Sequence, residues 1–382
     1  MALSKKKKLI FTLVLFGIIV VVPLVLVEVL LNAIDKPKPA TMGWRFSGFN
    51  SEKNQLGFRG QKIEYSDDDK VVVLLGDSQV EGWGSAYEWM PERRLQAYLH
   101  RLTGENVKVF TIGAAGYGYD QELLALKEYL EVHRADMVIL WQTLVNDVWN
   151  NLFPTHQPWN GTPKPTYWIE DGELAGPTGQ IGDPLMLSSS RIGTLIHRAT
   201  GGKNTLDTQW SRNILPEPYT PMDSYEGEVR MEWQEAWDRK EMGFLVDNFD
   251  EDKNHFCLFL VPRSPRVSYG IELSRLLMSK MQKAVEKQNG AFVTFSASRF
   301  DEVVQGKPGE ERVYQLNGKF YKTSLDQALK SLADINEGFE FLNLPVREKV
   351  WRMGPEDAHL NQHAVDLMMK DLAKAVQPIL LK

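Results

Sequence analysis

Gly76-Asp77-Ser78 places a candidate nucleophile directly after the apolar run Val71–Leu75. A short, unbroken, β-branched run suits a strand covered on both faces, as in a parallel sheet. A serine at the carboxyl end of such a strand has its hydroxyl in the crevice where these sheets bind ligands. The turn into the following helix offers N–H groups to a developing oxyanion. A plainer reading competes. Ser78-x-x-Glu81 matches a capping box, in which serine does no more than cap a helix.

Three further segments bear on the choice. Gly113-Ala114-Ala115-Gly116-Tyr117-Gly118 follows the run Val107–Ile112. Small residues there let the backbone turn tightly and aim the Gly116 N–H at the same crevice; alone, they are a flexible strand-to-helix turn. Val145-Asn146-Asp147 follows Met137–Trp141, where the Asn146 amide can donate to an oxyanion, or merely serve a turn or N-cap. Glu356-Asp357-Ala358-His359 supplies a base and a carboxylate to orient it on one short loop after Gly354-Pro355, with Asp357 or Glu356 as the acid. A lone histidine is otherwise structural. His363 lies four residues after His359, but no third ligand accompanies the pair, so no metal site is expected.

These segments need a frame to bring them together. Pro91–Leu102 and Gln121–Val132 have helical spacing and alternate with the apolar runs, which predicts an α/β fold with a three-layer, doubly wound parallel sheet. Phe256–Val261 and Ala291–Phe295 read as fourth and fifth strands, with helices over Tyr225–Phe249, Gly270–Gln288 and Asn361–Lys382. Two long insertions, about 152–224 and 300–338, read as irregular and interrupt one domain spanning 70–382. In the first, Trp159, Trp168 and Tyr167 either stack on sugar rings or pack the insertion onto the sheet, and Trp210 lies further along. Trp233 and Trp237, four apart, read as a core-facing helix stripe.

The N-terminus is of another kind. Lys5–Lys8 form a basic tail (1–8), and Leu9–Val27 carries no charge. A run of about 20 apolar residues spans a bilayer as a helix. Residues 9–34 are therefore expected to be a single transmembrane anchor, with the N-terminus cytoplasmic and the body extracytoplasmic by the positive-inside rule. A signal peptide would have a shorter core and a small-x-small cleavage site. Residues 35–69 read as a tether and lead-in. With a net charge of −6 and the four lysines confined to the tail, the body is acidic, which argues against nucleic-acid binding. The single cysteine, Cys257, excludes an intrachain disulfide and a cysteine zinc site.

Taken together, Gly76-Asp77-Ser78, the Gly116 turn, Asn146-Asp147 and the Asp357/His359 segment resemble, in order, the four blocks of the SGNH (GDSL-type) hydrolase superfamily. The resemblance runs from about Lys70 to Lys382. The anchor and Asn54-Gln55-Leu56-Gly57-Phe58-Arg59-Gly60 give a narrower similarity to membrane-anchored bacterial members linked to surface polysaccharide. The resemblance implies Ser78 as nucleophile, His359 as base, Asp357 as acid with Glu356 as alternative, and an oxyanion hole from Ser78, Gly116 and Asn146. Leu144 stands where the third block usually has glycine. The implied activity is that of a serine esterase or O-acyltransferase on ester-linked acyl, particularly acetyl, groups, without cofactor or metal. The implied substrate is an acylated small molecule or polysaccharide. A catalytically inactive SGNH-fold scaffold in a polysaccharide assembly is the first alternative. A nucleotide-binding α/β protein is the second, disfavoured because neither Gly-x-Gly-x-x-Gly nor a P-loop follows the first strand.

Overall fold

The computed structural model describes residues 5–34, 52–153, 155–156, 162–177, 215–232, 257–300, 306–354 and 357–382. The three apolar runs form β1 (Lys70–Gly76), β2 (Val107–Gly113) and β3 (Met137–Gln142). Five short strands come next: β4 (Thr155–His156), β5 (Thr162–Pro163), β6 (Trp168–Glu170), β7 (Glu173–Ala175) and β8 (Met231–Glu232). The rest are β9 (Ala291–Ser296), β10 (Glu311–Leu316), β11 (Lys319–Ser324), β12 (Glu340–Asn343), β13 (Arg352–Gly354) and β14 (Asp357–Leu360). The helices are α1 (Lys5–Phe16), α2 (Val22–Ile34), α3 (Ser78–Glu81), α4 (Pro91–Thr103), α5 (Tyr119–Val132), α6 (Leu144–Asn151), α7 (Pro265–Glu286), α8 (Leu325–Asn336) and α9 (Gln362–Leu380).

The central sheet has the order β12-β9-β3-β1-β2, and every neighbouring pair is parallel. Alternate residues of β1 serve opposite cores. Val71, Val73 and Leu75 pack with residues of α5, α7 and α8, whereas Val72 and Leu74 pack with α4 and α9. Burial on both faces explains the unbroken apolar runs, and it makes the fold three layers, helix–sheet–helix. From β1 the chain winds outward to β2, then crosses back to β3 on the other side. The carboxyl end of β1 therefore faces the topological switch point, where open α/β sheets form their crevice.

Several expectations need correction. The expected strand Phe256–Val261 is not one over its described residues: Cys257–Phe259 is a 3-10 turn, and Leu260 makes an isolated bridge to Thr323. Cys257, Leu258, Phe259 and Leu260 are buried all the same, and a short apolar run does not by itself distinguish strand from other buried conformations. The fifth strand of the sheet is instead β12. The second insertion is not irregular. β10 and β11 form a hairpin around Asn317-Gly318, both at positive φ as a two-residue turn requires, and α8 follows with Ser324 as its N-cap. Residues 225–230 are not helical, Met231–Glu232 is a strand beside β10, and Trp233–Phe249 lies outside the described residues.

At the N-terminus, among the described residues no helix is long and apolar enough to cross a membrane. The expected single span is divided into α1, a π-helical turn over Gly17–Val21, and α2. Pro23 lies just past that turn. It lacks the N–H for an i→i−4 bond and its ring crowds the preceding turn, which accounts for the local widening. Backbone angles stay right-handed helical at Phe16 and Val22, on either side of the π turn.

Candidate active site

Ser78 opens α3, and the residue before it settles what its hydroxyl is free to do. Asp77 is the N-cap: its Oδ1 accepts the Gln79 N–H at 2.9 Å. Capping is thus done by aspartate, and the capping-box reading of Ser78 is replaced. α3 is one turn long and ends at Gly82, whose φ of 68° favours glycine. Glycine is also needed on the strands behind it. A Cβ on Gly113 would stand 2.6 Å from the Gly76 carbonyl oxygen, its register partner on β1.

His359 reaches Ser78 from the other end of the domain sequence. Its Nε2 lies 2.8 Å from Ser78 Oγ, and its Nδ1 lies 2.5 Å from Asp357 Oδ1. The expected loop is in fact a strand. β13 and β14 pair antiparallel, with Gly354 opposite Asp357. Residues i and i+2 of a strand point to one face, so Asp-x-His brings carboxylate and imidazole together. The same Asp357 oxygen accepts the His359 N–H at 3.0 Å, which ties the carboxylate to the strand's backbone. Glu356 lies outside the described residues. The hairpin is held to α3 by Leu360 N–H donating to Gln79 Oε1 and by Met353 against Gly84, where an added Cβ would meet Met353 Cε at 2.2 Å.

Asn146 sits in the first turn of α6, and its Nδ2 donates to Asp77 Oδ2 at 3.0 Å. Thr143 Oγ1 donates to Asp77 Oδ1, so the segment after β3 is tied to the residue preceding the serine. Leu144, which replaces the usual glycine, is buried in the core beside Val148. Gly116 has φ 74° in the turn closed by Tyr117 N–H donating to the Ala114 carbonyl. The Gly116 and Ser78 N–H groups donate to no described residue.

Behind this rim lies a buried acidic group. Glu122 and Asp147 are fully buried, and burial pushes both carboxyls well above the usual range, each further raised by neighbouring carboxylates. Asp77 is raised by burial as well, against the donors from Asn146 and Gln79. Asp120 is paired with the equally buried Lys164, which also donates to the Asn150 carbonyl and ties the first insertion to the sheet edge.

Two residues at the site went unread in the sequence. The Trp83 ring, partly exposed, lies 6.0 Å from the His359 ring, tilted by 33°. Glu81, read as half of a capping box, reaches across to the Ala115 N–H. Its distance from Ser78, one helical turn, was the only sign. Of the aromatic residues weighed for sugar stacking, Tyr167 is buried and Trp168 packs against the Trp149 cluster. Trp159, Trp210, Trp233 and Trp237 lie outside the described residues. His363 is exposed on α9 and does not share an element with His359. Among the described residues no cluster of histidine, cysteine and carboxylate suits a metal ion.

No protein-family model and no curated protein matches the chain. Among solved structures it is similar to a lipase/acylhydrolase from Enterococcus faecalis, at 8% identity and a TM-score of 0.37, over 81% of this chain and 96% of that one. It is also similar to the psychrotrophic esterase EstA from Pseudoalteromonas sp. (10% identity, TM-score 0.36, covering 82% and 100%). A member of the lipolytic G-D-S-L family from Veillonella parvula matches at 10% identity and a TM-score of 0.32, covering 81% and 97%. Similarity this low leaves the chain's own geometry as the basis for a function.

Proposed function

We propose that the protein is a serine ester hydrolase that works through an acyl-enzyme on Ser78. The observation that carries this reading is the continuous line Ser78 Oγ–His359 Nε2, His359 Nδ1–Asp357 Oδ1 at 2.8 and 2.5 Å. Neutral His359 takes the hydroxyl proton as Oγ bonds to the ester carbonyl carbon. Asp357 holds the tautomer with hydrogen on Nδ1 and stabilises the imidazolium that forms. The carbonyl oxygen becomes an oxyanion facing the Ser78 and Gly116 N–H groups, with Asn146 offering the amide hydrogen not given to Asp77. Collapse expels the alcohol, which takes the proton from His359 Nε2. Water, deprotonated by the same nitrogen, then attacks the acyl-enzyme and releases the acid and free Ser78.

A sugar hydroxyl in place of water would make the same steps an O-acyl transfer. We take acetyl esters of a surface polysaccharide as the substrate class and residues 9–34 as a membrane anchor holding the body on the extracytoplasmic side. The exposed Trp83 indole beside His359 offers a flat apolar surface on which the C–H face of a sugar ring can pack. The continuous helical backbone from α1 through α2, with its exposed leucines and valines, favours the anchor. The experiment is Ser78→Ala against a small acetyl ester. Turnover is expected to fall by at least about 10³-fold, and a fluorophosphonate should label the unmodified protein but not the variant. Unchanged turnover would sink the assignment.

A further inference from the structure

We propose that Glu81 is a positioning residue that pegs the Gly116 turn to the helix carrying Ser78, so that the nucleophile and its oxyanion donor are held as one unit. The proposal rests on the reading of Ser78 as nucleophile and adds to it a residue that touches no reacting atom.

Glu81 is fully buried, and its Oε2 accepts the Ala115 N–H at 3.0 Å. Among the described residues its Oε1 has no hydrogen-bond partner, so this carboxylate's directed bonding there goes to the turn. One residue further on, the Gly116 carbonyl accepts from Asn150 Nδ2 at 3.4 Å. The peptide that presents the Gly116 N–H therefore lies between two tethers, one from α3 and one from α6. Gly116 holds a φ of 74°, and Tyr117 N–H donating to the Ala114 carbonyl at 3.2 Å closes the turn. The Glu81 and Asn150 contacts add to that closure from outside the turn. A carboxylate suits the task because hydrogen bonds to an ionised acceptor are about twice as strong as neutral ones. Asp77 already caps this one-turn helix, so the Glu81 carboxylate is not needed as a cap and is left to serve the turn and to face the buried Arg59.

The arrangement also makes the site responsive to pH. The charged groups facing Glu81 are Arg59 and Lys53 of the lead-in segment and Asp77 at the head of its own helix. Arg59 is itself buried and donates to the carbonyls of Glu81, Gly82 and Ser85. Burial pushes the Glu81 carboxyl up to about 7, against the Ala115 N–H, Arg59 and Lys53, with Asp77 raising it further. Below that pH Glu81 is neutral and its hold on the turn is weaker.

The test uses the full chain with a small acetyl ester from pH 5.5 to 8.5. At pH 8, Glu81→Ala should lower kcat by about tenfold or more with KM within about twofold, since one oxyanion donor is worth about 10²–10³ in turnover and only its alignment is lost. Glu81→Gln, which keeps an acceptor of the same shape, should recover most of that loss. The ratio of wild-type to Glu81→Gln kcat should rise about threefold through pH 7. A ratio that is flat with pH, or a Glu81→Ala variant with wild-type kcat, overturns the proposal while Ser78→Ala still abolishes turnover. Turnover that survives Ser78→Ala overturns both readings together. Should Glu81→Ala not fold, the pH ratio from Glu81→Gln decides alone.

Discussion

At the scale of single residues, strand geometry sets one carboxylate against the imidazole, and the proposed mechanism takes it as the acid. Asp357 shares a strand face with His359, and its Oδ1 lies against both the imidazole and the backbone N–H of the base. Asp357→Asn is expected to reduce kcat by about 10²–10⁴, because an amide facing Nδ1 favours the wrong tautomer. Glu356→Gln should stay within about threefold of wild type. Steady-state rates of the two variants on one ester check both. The choice between these carboxylates was open in the sequence, because spacing of two or three serves equally well on a loop. With Asp357 and His359 two apart on β14, strand geometry favours Asp357. Glu81 was hidden for a related reason: serine-x-x-glutamate has a familiar local meaning, and nothing local reveals a carboxylate that leaves its own helix for the next turn of the sheet edge.

At the scale of elements, what the sequence made legible is what burial on both faces makes legible. β1 and β3 were readable because a strand packed on two sides can run apolar without a break; β2 carries Lys108 and Thr111 but keeps Val107, Val109, Phe110 and Ile112 apolar. β12 was missed because only Phe341 and Leu342 of its four residues are apolar, and they are no more than partly buried at the sheet's edge. The β10–β11 hairpin carried its signal in Asn317-Gly318, which an insertion read as irregular passed over. Element packing also yields a stability prediction. Strands β1 and β2 approach so closely at Gly76 and Gly113 that Gly113→Ala must displace a sheet carbonyl. Overpacking of this kind costs about 1–3 kcal/mol, measurable as a lower urea midpoint at unchanged m-value.

At the scale of the whole molecule, the buried acids give stability an unusual pH dependence. Burial pushes Glu81 and Glu92 up to about 7, and Glu122 and Asp147 well above their ordinary range. The folded chain therefore holds these protons more tightly than the unfolded chain does. For Glu81 and Glu92 the stabilisation is fully present below about pH 4.5 and is lost as pH rises through about 7; Glu122 and Asp147 act in the same direction. For fully buried Glu92 the shift corresponds to about 3 kcal/mol. Carboxylates elsewhere, such as Asp334 beside Arg263 and Lys330, are lowered by those cations and favour the opposite trend at lower pH. The melting temperature is thus expected to be higher near pH 5.5 than at pH 8.5. Glu122→Gln should raise it at pH 8.5 more than at pH 5.5, and calorimetry at the two pH values checks both.

The ribbon formed by β13 and β14 stands apart from the central sheet, and the imidazole and its carboxylate ride on it together. On the proposed mechanism, moving it away from α3 would part His359 from Ser78 while Asp357 kept its hold on the imidazole, and Leu360 at its end anchors it in the core beside α4 and α9. On that reading, the seam between the serine's helix and the ribbon carrying its proposed base runs along Gln79, Gly84 and Met353.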